Sequence, residues 1–250
     1  SFYNSKTVQG FPFVNNLRGV HGNFNEVQIT NWATEGLLNY NKLIKKGHRI
    51  NALFGMSMQG FSNNNYGYGV NNIIREDMGL ASLQYGVPSS VIARRSKNLL
   101  ASYFTRLNYN LKGKYLFAAS FRADGSSKFA PHSRWGYFPA GSFAWQMGKE
   151  EFFKNLDFVS DAKLRVSYGA TGNNRVGDFS RYSTVNVISS YYSFNNEVPV
   201  AAAQFNNLGA RDLRWETTIQ SNIGYDLALF DNKVNLVLDV YRKTTKDLLL

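Results

Sequence analysis

The chain has 250 residues, of which 44% are hydrophobic and 15% aromatic, which excludes intrinsic disorder and allows one large all-β unit or two ordinary domains. A net charge of +11 suggests a polyanionic partner, but basic residues cluster no further than pairs such as Lys45-Lys46, so nucleic acid is set aside. The absence of cysteine removes disulfides and thiolate metal sites.

No apolar run reaches the roughly 18 residues of a transmembrane helix. A barrel strand needs only about ten residues of alternating polarity, so the mean hydropathy of -0.32 fits a barrel as well as a soluble protein. The start, Ser1-Phe2-Tyr3-Asn4-Ser5-Lys6, lacks a basic segment followed by an apolar core. The chain is therefore read as mature or as cut from something longer.

Period-two alternation is the dominant pattern and predicts about eight strands, over 33–44, 48–62, 98–111, 114–124, 134–147, 161–170, 214–229 and 234–248. The first is weak. In the second, Ile50, Ala52, Phe54, Met56 and Met58 alternate with Asn51, Leu53, Gly55, Ser57 and Gln59. In the third, Tyr103, Thr105, Leu107 and Tyr109 alternate with Phe104, Arg106 and Asn108. Lys112-Gly113 then turns the chain into Tyr115, Phe117, Ala119 and Phe121, with Arg122 on the opposite face. Further on, Leu164, Val166 and Tyr168 alternate with Arg165 and Ser167. The last pair sets Ile219, Ile223, Tyr225 and Leu227 against Gln220, Asn222 and Asp226, and Leu236, Leu238 and Val240 against Asp239.

The connections alternate between short and long, the long ones being 62–97 and 171–213. Outer-membrane barrels have this layout, with short periplasmic turns and long extracellular loops. A length check agrees. Trp135 and Tyr137 lie near one end of a strand and Trp145 near the other, on one face. Ten residues at about 3.3 Å each, tilted by about 40°, rise roughly 25 Å, the height of a barrel's apolar band. Trp135, Tyr137 and Trp145 are thus expected to mark the two membrane interfaces.

The chemistry of catalysis is sparse. His21, His48 and His132 are far apart and show no metal spacing, so they are read as solvated loop or turn residues. Glu150-Glu151 beside Phe152 and Phe153 reads as a short amphipathic turn rather than an acid–base pair. Gly67-Tyr68-Gly69 and Gly169-Ala170-Thr171-Gly172 lack the lysine and helix of a phosphate loop. No cofactor is expected.

From Arg122 onward the sequence is no longer generic. Arg122-Ala123-Asp124-Gly125-Ser126-Ser127-Lys128-Phe129 followed by Arg134-Trp135-Gly136-Tyr137-Phe138-Pro139 resembles the SusC/RagA family of TonB-dependent outer-membrane transporters. Three further segments resemble the same family in the same order: Leu164-Arg165-Val166-Ser167-Tyr168-Gly169-Ala170-Thr171-Gly172-Asn173, Leu213-Arg214-Trp215-Glu216-Thr217-Thr218, and Asp239-Val240-Tyr241-Arg242-Lys243-Thr244-Thr245-Lys246-Asp247-Leu248-Leu249. Residues 1–97 match only in strand layout.

The resemblance implies an all-β, antiparallel transmembrane barrel of about 22 strands, of which this chain is a segment, in a protein several times longer. It implies an N-terminal plug that this chain lacks, a SusD-like surface lipoprotein as lid, energy from TonB, glycan or peptide substrates, a lipid bilayer around the wall, and a Bacteroidetes outer membrane. Arg106, Arg122, Arg165, Gln220, Asn222, Asp226 and Asp239 are expected to face the lumen, where the plug is the main contact. Asn64, Tyr66, Tyr68, Asn173, Asn174, Arg175, Tyr191 and Tyr192 fall in the long loops. Their amides and aromatic faces suit sugar or peptide recognition, with loop packing or lid contact as the competing role. The rival readings are a structural or adhesive barrel that does not transport, and an outer-membrane hydrolase, which the sparse histidines disfavour.

Overall fold

The computed structural model describes residues 2–9, 20–45, 47–192 and 200–249. Its strands are β1 (Phe2–Gln9), β2 (His21–Lys45), β3 (His48–Asn71), β4 (Val87–Leu111), β5 (Tyr115–Ser126), β6 (Trp135–Gln146), β7 (Val159–Asn173), β8 (Thr184–Tyr192), β9 (Val200–Asn207), β10 (Glu216–Leu229) and β11 (Val234–Lys246). One sheet runs in the order β1-β2-β3-β4-β5-β6-β7-β10-β11, and β8 pairs with β9 alone. Neighbours in the sheet are neighbours in the chain, as in an up-and-down meander, apart from the inserted β8–β9 hairpin.

The eight expected strands correspond to β2–β7, β10 and β11. Three corrections apply. β2 starts at His21, not 33. β3 runs to Asn71 and β4 starts at Val87, so the connection read as 62–97 shrinks to 72–86, with a 3-10 segment at Glu76–Tyr85. The 171–213 connection contains the β8–β9 hairpin. Asparagine and glycine in Ser62–Asn71 lower β propensity, but propensity yields to cross-strand bonding. A side chain at Gly67 would stand 2.7 Å from the Phe24 carbonyl oxygen, so the glycines here serve close strand approach.

The chain divides into two compact units. The first, residues 1–33 and 59–99, contains β1, the start of β2, the end of β3 and the start of β4. Val70, Ile73 and Leu83 form its buried cluster, with Val20 and Phe24 against them. The second, residues 34–58 and 100–250, holds the rest. In it β4 turns tightly into β5 through Lys112 and Gly113, both at positive φ, and the Gly113 amide donates to Asn110 Oδ1 at 2.8 Å.

The core of the second unit lies beside the long connections. Phe129, Phe138 and Trp215 are buried together, with Leu100, Ala170, Val176, Leu213 and Leu249 packed on them. Trp215 Nε1 donates to the Arg134 carbonyl at 2.9 Å, and Ser133 Oγ to the Leu213 carbonyl at 2.8 Å. A side chain at Gly172 would collide with the Phe138 ring, so only glycine fits there. The four segments that carry the family resemblance therefore meet in this cluster.

Candidate functional site

Cross-strand register decides which side chains share a face. Arg106 pairs with Ser120 and Arg122 with Phe104 between β4 and β5. Ser120 pairs with Ala140 on β6, and Ala140 and Ala144 pair with Gly169 and Arg165 on β7. Gly169 and Arg165 pair with Gln220 and Gly224 on β10, and Gly224 pairs with Asp239 on β11. Because side chains alternate strictly along a strand, Arg106, Arg122, Arg165, Gln220, Asn222, Asp226 and Asp239 all stand on one face.

Two of the arginines are tied into that face. Arg165 grips Asp226 with two bonds, Nε to Oδ2 at 2.9 Å and Nη2 to Oδ1 at 2.7 Å, and reaches Asp239 Oδ2 at 3.3 Å. Asn222 Nδ2 donates to the other Asp239 oxygen at 3.1 Å, and Asn222 Oδ1 is buried with no donor among the described residues. A planar guanidinium gripping a carboxylate in two places fixes direction as well as charge. Arg122 donates to both oxygens of Asp124 and, at 2.9 Å, to Ser102 Oγ, with its guanidinium 5.4 Å from the centre of the Phe104 ring.

Between these groups the face is hollow. One depression of about 490 Å³ lies over Ala118, Ser120, Ala140, Ser142 and Gly169, edged by Arg106, Asn108 and Gln220. A second of about 500 Å³ continues past Ser142 and Ala144 to Arg49, Asn51, Arg165 and Asn222. Small side chains on the floor and hydrogen-bonding groups at the edge make a surface that admits another polypeptide or a polar ligand closely.

The opposite face is apolar and uncovered. Val240 is 75% exposed, Ile223 57% and Tyr168 55%. Its rings include a group towards each end, with Tyr109, Phe117 and Phe143 in contact between them. Tyr103 stacks on Trp135 at 6.0 Å and Phe121 on Tyr137 at 6.1 Å at the long-connection end. Tyr115 stacks on Trp145 at 6.3 Å, and Phe152 meets Trp145 edge-on, at the short-turn end. A contiguous apolar face of this extent marks an interaction surface.

The loop candidates separate. Asn64, Tyr66 and Tyr68 lie on β3, a correction to their expected loop location, with the Tyr68 ring 5.6 Å from that of Phe24 and the Asn64 Oδ1 buried with no donor among the described residues. Asn173 ends β7, where its Nδ2 donates to Glu216 Oε1 at 3.1 Å and its Oδ1 accepts the Arg175 amide at 3.0 Å. Asn174 Nδ2 donates to Ser126 Oγ at 3.4 Å, whereas Arg175 is exposed. Tyr191 and Tyr192 belong to the backbone of β8, and their side chains lie outside the described residues.

At the short-turn end Glu150 accepts bonds from Lys114 Nζ at 2.8 Å, Tyr115 Oη at 2.7 Å and Trp145 Nε1 at 3.2 Å. The Lys114 ammonium and the other donors hold its carboxyl down at about 2. Glu150 thus ties the β5 start to the β6 end, a role that sequence reasoning missed because Lys114 is 36 residues away. His48 Nδ1 lies 2.7 Å from the Tyr109 hydroxyl, and no metal-holding cluster occurs among the described residues.

The family model for the TonB dependent receptor-like β-barrel matches residues 1–250. The chain belongs to this family of TonB-dependent receptors. It is 36% identical over 229 residues, 87% of its length, to TonB-dependent receptor P39 of Formosa agariphila, and covers 20% of that protein. It is 35% identical over 161 residues, 63% of its length, to TonB-dependent receptor SusC of Bacteroides thetaiotaomicron, and covers 16% of it. Its fold matches a structure of the RagAB peptide transporter with a TM-score of 0.80 at 23% identity, over 100% of this chain and 27% of that one. The SusC/RagA resemblance and the Bacteroidetes source it implied are thereby met. The chain is an antiparallel segment of an outer-membrane receptor barrel. It spans about a fifth of the length of the Formosa relative.

Proposed function

We propose that this receptor barrel segment is part of the wall of an active importer of glycans or peptides, completed in the full-length protein to about 22 strands around a plug. The polar face looks into the lumen and the apolar face meets lipid. The Arg165 group and the two depressions seat the plug. Asn64, Tyr66 and Tyr68 in the first unit, and separately Arg175 in the second, meet substrate or a SusD-like lipoprotein lid, and TonB supplies energy through the plug. Trp135 and Tyr137 mark one membrane interface and Trp145 the other.

One observation carries the reading: seven polar or charged side chains from five strands share a face whose reverse side is aromatic and aliphatic. A wall wet on one side and apolar on the other is what a lumen surrounded by lipid requires. Names of relatives, SusC and the RagAB peptide transporter, support the import class. The test is deletion of the full-length gene and growth on a panel of polysaccharides and oligopeptides as sole nutrient. Loss of growth on one class is expected. Unchanged growth on every nutrient, with surface attachment reduced, would replace import with an adhesive barrel.

A further inference from the structure

Across the paired residues of β4 to β11, the apolar face carries charge on one strand. From β4 to β11 the paired side chains on that face in the second unit are aliphatic, aromatic, small or hydroxylated, and no acidic one stands among the described residues. The two charged ones are both basic and both on β11: Arg242, opposite Ser221, and Lys246, opposite Thr217. Both are exposed and neither has an ion-pair partner among the described residues.

Their height follows from counting along the strands from the short turns. From Val234 to Arg242 is eight residues, the same separation as from Leu111 to Tyr103 and from Trp145 to Tyr137. Eight residues at about 3.3 Å each, tilted by about 40°, rise roughly 20 Å. Arg242 therefore stands level with the aromatic group of Tyr103 and Tyr137, and Lys246 is four residues beyond it, about 13 Å along the strand. Long basic side chains at the margin of an apolar band extend their charge to the polar edge, where the abundant anion is a lipid phosphate.

We propose that Arg242 and Lys246 hold the phosphate of a lipid headgroup in the leaflet on the long-connection side. The acyl chains lie over Val240, Leu238, Ile223 and Tyr168. The inference rests on the apolar face meeting lipid, as proposed above. Two flexible cations on one strand face, with no carboxylate among the described paired residues of that face from β4 to β11, leave an anionic headgroup as the complementary occupant, and the adjoining apolar side chains suit a lipid rather than a free ion.

The test uses the full-length receptor in detergent with monophosphoryl lipid A as probe and native mass spectrometry as readout. The wild-type protein is expected to retain the lipid, and the Arg242→Gln/Lys246→Gln variant to bind it about tenfold or more weakly. Dephosphorylated lipid A is expected to bind both proteins equally. Equal retention of monophosphoryl lipid A by the two proteins would overturn the proposal. So would its displacement by equimolar inorganic phosphate, which would make the site one for the free anion. A nitroxide at Leu238→Cys separates the two levels of inference. A label reached by oxygen in a bilayer, with no lipid A difference, defeats the phosphate site alone. A label reached only by a water-soluble nickel chelate defeats the facing assignment and the site together. Heat-dependent gel mobility establishes that each variant is a folded barrel.

Discussion

At the short-turn end of the second unit one carboxylate, Glu150, gathers an ammonium, a phenol and an indole. At the long-connection end Phe129, Phe138 and Trp215 bury one another, and the hydrogen bonds around them run mainly to backbone carbonyls. Cohesion is mainly electrostatic at one end and mainly steric at the other, where the ion pairs Arg122–Asp124 and Lys128–Asp178 flank the cluster. The first kind answers to pH and leaves volume alone, whereas the second fails when a cavity is opened. The steric end also has the greater reach, since it joins segments eighty or more residues apart in sequence: Ser133 to Leu213 and Arg134 to Trp215 are 80 and 81 residues apart.

The largest effect is expected at the steric end. Phe129→Ala should lower the unfolding free energy of the full-length receptor in micelles by about 3–5 kcal/mol, read from urea midpoints. A loss too small to shift the midpoint would mean that the cluster is loose. Next comes the contrast between faces. Leu238→Lys places a cation near the middle of the apolar band and should cost about 2–4 kcal/mol, seen as reduced insertion into vesicles. Asn222→Lys, beside Asp239 on the polar face, should insert normally. Equal tolerance at both positions would sink the facing assignment.

The electrostatic end should respond to acid. The folded carboxyl of Glu150 titrates at about 2, below its ordinary 4.5, so its contribution is complete above pH 4.5 and lost as the pH falls towards 2. Wild-type melting temperature should drop across that window, and Glu150→Gln should melt lower at neutral pH with a flatter acid profile. A variant that retains the full acid drop would assign it elsewhere. The smallest effect is expected at Arg75, whose bonds to Asp77 at 2.8 and 3.0 Å lie in the open on the 3-10 connection. Solvent screens such a pair, so Arg75→Ala should leave the melting temperature unchanged.

Most of the sheet was legible in the residue pattern. Tyr115, Phe117 and Phe121 alternating with Arg122 is enough to mark a strand and to say which side chains travel together. The extensions of β3 and β4 were not, because Asn63, Asn64 and Gly67 resemble turn residues until a neighbouring strand bonds to them. Nor was the β8–β9 hairpin, whose register slips at Thr184/Val185 and again at Ile188/Tyr191. Of the candidate site, the seven polar side chains were legible as a row. The grip of Arg165 on two aspartates was not, since Asp226 lies 61 residues away and Asp239 74.

The sequence by itself determined the two faces, because side-chain alternation is a property of each extended backbone and needs no neighbour. Only the tertiary structure decided what those faces contain. Turn lengths and cross-strand bonds set the register, and register brings Arg165 level with Gly224 and Asp239 and within reach of Asp226. The same long-range pairing folds four separate segments around Phe129, Phe138 and Trp215. A contact between residues far apart in the chain depends on every ladder between them, and no local pattern records that sum.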